Sequence, residues 1–247
     1  MGSACDSAVG AVDELPDAVG ARMALGSETG NFRYGSLVSR SRIVGVIVAV
    51  EGPSAAGKTT WCRQLGVPYV KEYAPTGMEP DGSDILAQAA YWVEVNTGRW
   101  RAAERLEAQT GTAVCDSDPL KLHYSWCLAR IGEISWHRFD QELQCARSAF
   151  ERGDLGFVDA VVIAVPPVAT LQKHRDSDPS RRRRSFDLHS RLREPLTEWY
   201  SAVDDLDPGR VLWHMPEDGL SGLRFLQRPG RTNPALLDAL VDGLPGQ

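Results

Sequence analysis

Residues Gly52-Pro53-Ser54-Ala55-Ala56-Gly57-Lys58-Thr59 reproduce the spacing G-x-x-x-x-G-K-S/T. That spacing suits a polyphosphate. Glycines let backbone N–H groups converge on phosphate oxygens, and the helix that follows presents its positive end to them. Gly52, Ser54, Ala55, Ala56, Gly57 and Thr60 then form the loop, Lys58 supplies a point charge for the β- and γ-phosphates, and the Thr59 hydroxyl can ligate Mg2+. No N-K-x-D element is present and no D-x-x-G switch follows the loop, which sets GTPases aside. A small-molecule kinase needs other parts: a carboxylate beside the acceptor hydroxyl, a second acid near Mg2+, and arginines on a mobile lid. The sequence supplies acidic residues and an arginine run that are candidates for these parts.

The elements that must position these residues follow from the apolar pattern. Ile43 to Val50 is a continuous β-branched run, as in a strand buried on both faces of a parallel sheet, and Thr59 to Leu65 is helical. Tyr69 to Glu72 is a short strand, and Ser83-Asp84 caps a long helix running to about Leu106. Thr112 to Cys115 is a third strand ending in Asp116; helices near Leu120 to Ala129 and Trp136 to Arg152 follow. Phe157 to Val165 is a fourth strand, stopped by Pro166-Pro167, and Val168 to Arg175 a helix. Leu188, Leu192, Leu196, Trp199 and Val203 make an apolar helical stripe, with a kink or break expected at Pro195. Val211 to His214 is the last strand, and Asn233-Pro234 to Val241 a capped closing helix with Gly243 after its end. Strands alternating with helices predict an α/β fold with a mostly parallel sheet, whose ligands sit beyond the carboxyl ends of the strands.

Residues 1 to 40 are rich in Gly, Ala, Ser and Asp and read as a flexible tail, with a short helix at Ala18 to Leu25 left open; residues 41 to 247 read as one domain. The 33 acidic and 27 basic side chains leave a net charge of −6, the wrong sign for a protein that wraps nucleic acid. The longest apolar run falls far short of the about 20 residues that span a bilayer. The first twenty residues lack Lys, Arg and an apolar block, so no secretory signal is read there. Five cysteines without a C-x-x-C pair fit reduced thiols. A cytoplasmic protein is expected, without membrane or nucleic-acid partners.

From Ile43 to about Glu217 the order and spacing of these motifs resemble the deoxynucleoside kinase and thymidylate kinase group. The resemblance implies a three-layer P-loop NTPase fold with a central parallel sheet flanked by helices and an arginine-rich lid at about 176 to 187. It implies ATP and Mg2+ as cofactors and a small-molecule hydroxyl or phosphate as acceptor. In that family a glutamate ending the second strand is the general base, which falls on Glu72. A glutamine on the following helix reads the base, which falls on Gln88, with Tyr91 and Trp92 one turn on. The acid after the third strand falls on Asp116, near Mg2+; Asp118 is an alternative, or both cap the next helix. Ser117 stands where the family has an arginine, and Lys121 is a partial substitute. Arg182 and Arg184 fall among the lid arginines that clamp phosphate. The loop after the last strand often contacts adenine, and a homodimer is expected from the family alone. Two other readings stay open: a kinase of a non-nucleoside compound such as an antibiotic, and a nucleotide-binding regulatory module with little turnover.

Overall fold

A computed structural model describes residues 45–178 and 185–245. The expected tail with its short helix, and the lid arginines Arg182 and Arg184, lie outside these residues.

Strand β1 (Val46–Glu51) is buried along its whole length. Ile47 and Ala49 point into the main core with Trp100, Trp126 and Trp199, whereas Val46, Val48 and Val50 point into smaller clusters on the opposite face. A strand covered on both faces has no place for a polar side chain until its end, which explains the unbroken apolar run. β1 pairs in parallel with β2 (Thr112–Asp116) on one side and β3 (Ala160–Ile163) on the other; β3 pairs with β4 (Val211–Leu212). The order is β2-β1-β3-β4.

The expected strand at Tyr69 to Glu72 reduces to a single parallel bridge, Val70 to Cys115. Val70 N donates to Val114 O (2.8 Å) and Asp116 N donates to Val70 O (2.8 Å). Pro68 and Pro75 flank the segment; proline offers no N–H and restricts the residue before it, so the ladder stops after one rung. β3 is also shorter than expected, because Phe157 N donates to Arg231 O (2.9 Å) rather than to the sheet.

Helix α1 (Lys58–Gln64) leaves the phosphate loop. α2 (Ile85–Thr110) begins where Asp84 accepts from Ala87 N (2.9 Å) and ends at Gly111, whose positive φ suits glycine. α4 (Trp136–Glu151) packs beside α2, α3 (Leu122–Arg130) packs on α4, and α5 (Val168–Asp176) follows β3. The stripe expected to kink at Pro195 breaks earlier, into α6 (Phe186–Arg191) and α7 (Arg193–Leu206). Pro195 then sits in the first turn of α7, where its missing N–H costs no hydrogen bond. Asp176 and Phe186, assigned above to the lid, belong to helices α5 and α6. α8 (Pro234–Gly243) closes the domain. On the other face of the sheet Trp61 Nε1 donates to Pro216 O (2.8 Å), tying α1 to the segment after β4. Among the described residues no helix is long and apolar enough to cross a membrane.

Candidate active site

The phosphate loop stands at the carboxyl end of β1. Gly52 has φ +152°, and a Cβ there would lie 2.3 Å from Ala164 O, so only glycine lets β3 approach the loop. Ala55 and Gly57 also have positive φ, and Gly57 opens α1 without any side-chain cap. The first amides of α1 therefore keep no side-chain partner of their own. Lys58 Nζ curls back, donating to Gly52 O (2.7 Å) and standing 4.0 Å from Glu51 Oε1. Ala55 and Ala56 pack against Leu171 and Phe186, and His174 Nδ1 lies 3.0 Å from Ala55 O.

Four carboxylates gather around this loop, each set differently. Glu51, 2% exposed, accepts from Gly52 N (Oε1, 2.9 Å) and Asp118 N (Oε2, 3.1 Å). Burial opposes its ionisation, but the neighbouring Lys121, His123 and Lys58, with the Gly52 amide, outweigh it and hold the carboxyl far below the usual range. Asp116, also 2% exposed, lies beside the Thr59 hydroxyl, and its Oδ1 is buried without a partner among the described residues. Burial, together with Glu72 and Glu51, raises its carboxyl above the ordinary range despite Thr59 and Lys58. Asp118 turns away from the loop: Oδ1 accepts from Leu120 N (3.0 Å) and Oδ2 from the Tyr200 hydroxyl (3.2 Å). Burial pushes it up to about 6. Of the two acids proposed for the metal side, Asp116 is the one beside Thr59.

Glu72 lies at the cavity mouth. Protein surrounds it, yet 43% of its side chain stays accessible because it projects into open space. Burial raises its carboxyl, but Lys121 and Lys58 outweigh this and hold it below the usual value. Lys121 Nζ is 3.5 Å from Glu72 Oε1, 3.6 Å from Glu51 Oε2, and donates to Ser117 Oγ (3.0 Å).

A cavity of about 580 Å³ joins Glu51, Glu72 and Lys121; Asp116, Asp118 and Thr59 do not line it. Gly52, Ser54 and Lys58 line it at the loop, Glu72 and Lys121 beside them, and Gln88 and Trp92 along α2. Tyr91, expected beside them, does not line the cavity. Its hydroxyl pairs with that of Tyr73 (2.7 Å) and its ring stands edge-on to Trp92, 5.2 Å between centroids. Residue 91 stands one turn from 88 just as 92 does, so helical phase does not set it apart; its hydroxyl is taken up by Tyr73.

Several further residues at the site escape sequence reasoning. Arg99 spends its guanidinium on four backbone carbonyls, of Lys71, Asp116, Ser117 and Asp118, and so holds the segment after β2. His123 stands between Glu51 Oε2 (Nε2, 3.4 Å) and the Tyr200 hydroxyl (Nδ1, 3.3 Å), and burial lowers it to about 3, so it is neutral. Glu51 carries one local signal: a carboxylate closing an otherwise apolar strand just before the glycine loop.

A four-stranded parallel sheet with the loop at the end of β1 and helices on both faces is the three-layer fold of the P-loop NTPases. The comparison with solved structures agrees. Deoxyadenosine kinase from M. mycoides with bound dATP aligns with a TM-score of 0.50 at 11% identity, over 68% of this chain and 89% of that one. The same enzyme with dCMP and a flexible dCDP bound gives 0.47 at 12% identity, over 80% of this chain and 100% of that one. NadR protein in complex with NR gives 0.47 at 17% identity, over 83% of this chain and 52% of that one. Of these the first, at 0.50, bears on the fold. No family profile matches the chain, and no curated protein matches it.

Proposed function

We propose that this chain is an ATP- and Mg2+-dependent kinase that transfers the γ-phosphoryl group to a hydroxyl of a nucleoside-like small molecule. The observation that carries the reading is that the phosphate loop and the Glu72 carboxylate line one cavity. Lys58 and the loop amides hold the triphosphate. The oxygen set of Thr59 and Asp116 fits Mg2+: a hydroxyl, a carboxylate, and an Asp116 Oδ1 otherwise buried without a partner. When bound, the metal neutralises charge on the polyphosphate.

Glu72 takes the proton of the acceptor hydroxyl as that oxygen bonds to the γ-phosphorus and the bond to the ADP oxygen breaks. Lys121 keeps Glu72 ionised and faces the negative charge of the transferring group. Three carboxylates, Glu51, Glu72 and Asp116, face three cations, Lys58, Lys121 and Arg99, and the Arg99 donors are occupied by carbonyls. Among the described residues the reacting end thus carries no surplus positive charge to hold a further phosphate, which favours a neutral alcohol over a phosphate monoester. The Gln88 amide and Trp92 ring along the same cavity support a planar, hydrogen-bonding acceptor. The reading is tested by following labelled γ-phosphoryl from ATP to an added nucleoside. Transfer by the wild type and not by Glu72→Gln supports it; transfer undiminished in Glu72→Gln removes Glu72 as base.

A further inference from the structure

On the α4 side of the cavity stands a carboxyl for which the phosphotransfer chemistry has no use. Glu142 is 9% exposed and lines the cavity from α4, a helix that packs on α2, α3 and α8 rather than on the sheet. Among the described residues it forms no ion pair; the Ser125 hydroxyl, which donates to Leu122 O (3.1 Å), and the more distant charge of Arg138 are its polar surroundings. Burial outweighs both and pushes the carboxyl up to about 7. A second polar residue lines the same cavity: Gln88, 7% exposed, whose Oε1 is buried without a partner among the described residues, while Nε2 donates to Pro80 O (3.3 Å). The walls they share are flat or apolar, including Trp92, Leu128 and Leu196.

A buried carboxyl without a counter-ion costs least as the acid, and the acid is at once an O–H donor and a C=O acceptor. That pair is complementary to an N–H beside a C=O, or to a ring nitrogen beside an amino group. We propose that Glu142 acts as a paired donor and acceptor that reads the amide or amidine edge of a planar nitrogen heterocycle carried by the acceptor, with Gln88 Oε1 accepting a further N–H. The proposal rests on the kinase reading for the cavity's being the acceptor site.

The test is calorimetric binding of ribo- and deoxyribonucleosides to the full chain without ATP. 3-Methyluridine and N6,N6-dimethyladenosine, whose edges are blocked, serve as blanks. Glu142→Gln retains a donor and an acceptor and keeps nucleoside affinity within about threefold. Glu142→Leu, of similar bulk, weakens it about tenfold or more. ATP affinity of each variant reports that it has folded. Three results overturn the proposal: no nucleoside binds, Glu142→Leu binds as the wild type does, or Glu142→Gln loses as much as Glu142→Leu, which marks an anion. Phosphoryl transfer is scored separately. Binding that follows residue 142 without any transfer removes the kinase reading and leaves this one. Transfer to a nucleoside whose affinity ignores both substitutions does the reverse.

Discussion

Lys121 Nζ stands 3.5 Å from Glu72 Oε1 and 3.6 Å from Glu51 Oε2, so one ammonium joins the candidate base to the carboxylate that ends β1. Ser117 occupies the chain position where an arginine was expected, and Lys121 reaches the spot from the start of α3. Both residues adopt positive φ, 71° and 51°, which turns the Ser117 hydroxyl toward the ammonium. Removing Lys121 takes away the largest influence that lowers the Glu72 carboxyl. For Lys121→Met the acid limb of kcat/KM is therefore expected to move to higher pH, with kcat reduced about 100-fold. Lys121→Arg restores part of both. An unmoved acid limb in Lys121→Met would show that the cation does not act through Glu72.

Asp116 and Thr59 are predicted to govern the metal requirement. Asp116→Asn keeps the shape and removes the charge, so the Mg2+ concentration at half-maximal rate rises about tenfold, while acceptor KM changes little. Thr59→Ala shifts it in the same direction. Asp118→Asn leaves it unchanged, since that carboxyl faces Tyr200. Magnesium titrations at fixed ATP check all three.

The parts of this site that are legible in sequence are those whose signal is local. The glycine loop announces itself within eight residues, and β1 within its unbroken apolar run. Asp116 stands out because it ends an apolar strand, and Glu72 because its segment resembles that of the deoxynucleoside kinases; the structure brings both near the loop. The bridge at Val70 differs from the full strand expected there because Tyr-Val-Lys-Glu looks alike whether one rung forms or four; Pro68 and Pro75 hold the missing information. Arg99, His123 and Tyr200 cannot be found this way. Arg99 is a polar residue on a long helix, and its role exists only because β2 ends beside it. Glu142 likewise reads as an ordinary helical glutamate until α4 is laid against α2 and α3.

Arg99 is predicted to matter for stability before activity. Arg99 is 8% exposed and its four acceptors are backbone carbonyls with the site hanging from them. Arg99→Met strands these carbonyls, and a loss of about 3 kcal/mol is expected from urea unfolding. A midpoint unchanged from wild type would show that water replaces the guanidinium at no cost.

Glu142 links stability to pH in a direction that can be checked. Its carboxyl is raised from 4.5 to about 7 on folding, so its contribution is fully present below about 4.5 and is lost as pH rises to about 7. Glu142→Gln cannot titrate. The stability of Glu142→Gln relative to wild type should therefore grow by about 3 kcal/mol between pH 4.5 and 7.5, since each tenfold change in proton affinity on folding is worth about 1.4 kcal/mol. Comparing the two proteins isolates this group from Asp118 and His123, which titrate in neighbouring ranges. A constant difference across that range would mean that Glu142 is ionised in the folded protein.

The central claim is tested most directly by ADP formation from ATP and Mg2+ across pools of nucleosides, nucleoside monophosphates and non-nucleoside alcohols, with Lys58→Ala as the blank. A nucleoside pool is expected to stimulate ADP release in the wild type and not in Lys58→Ala, and the monophosphate pool is expected not to. Stimulation by non-nucleoside alcohols alone would contradict the acceptor assigned here, and ATP binding without stimulation by any pool would contradict the kinase itself.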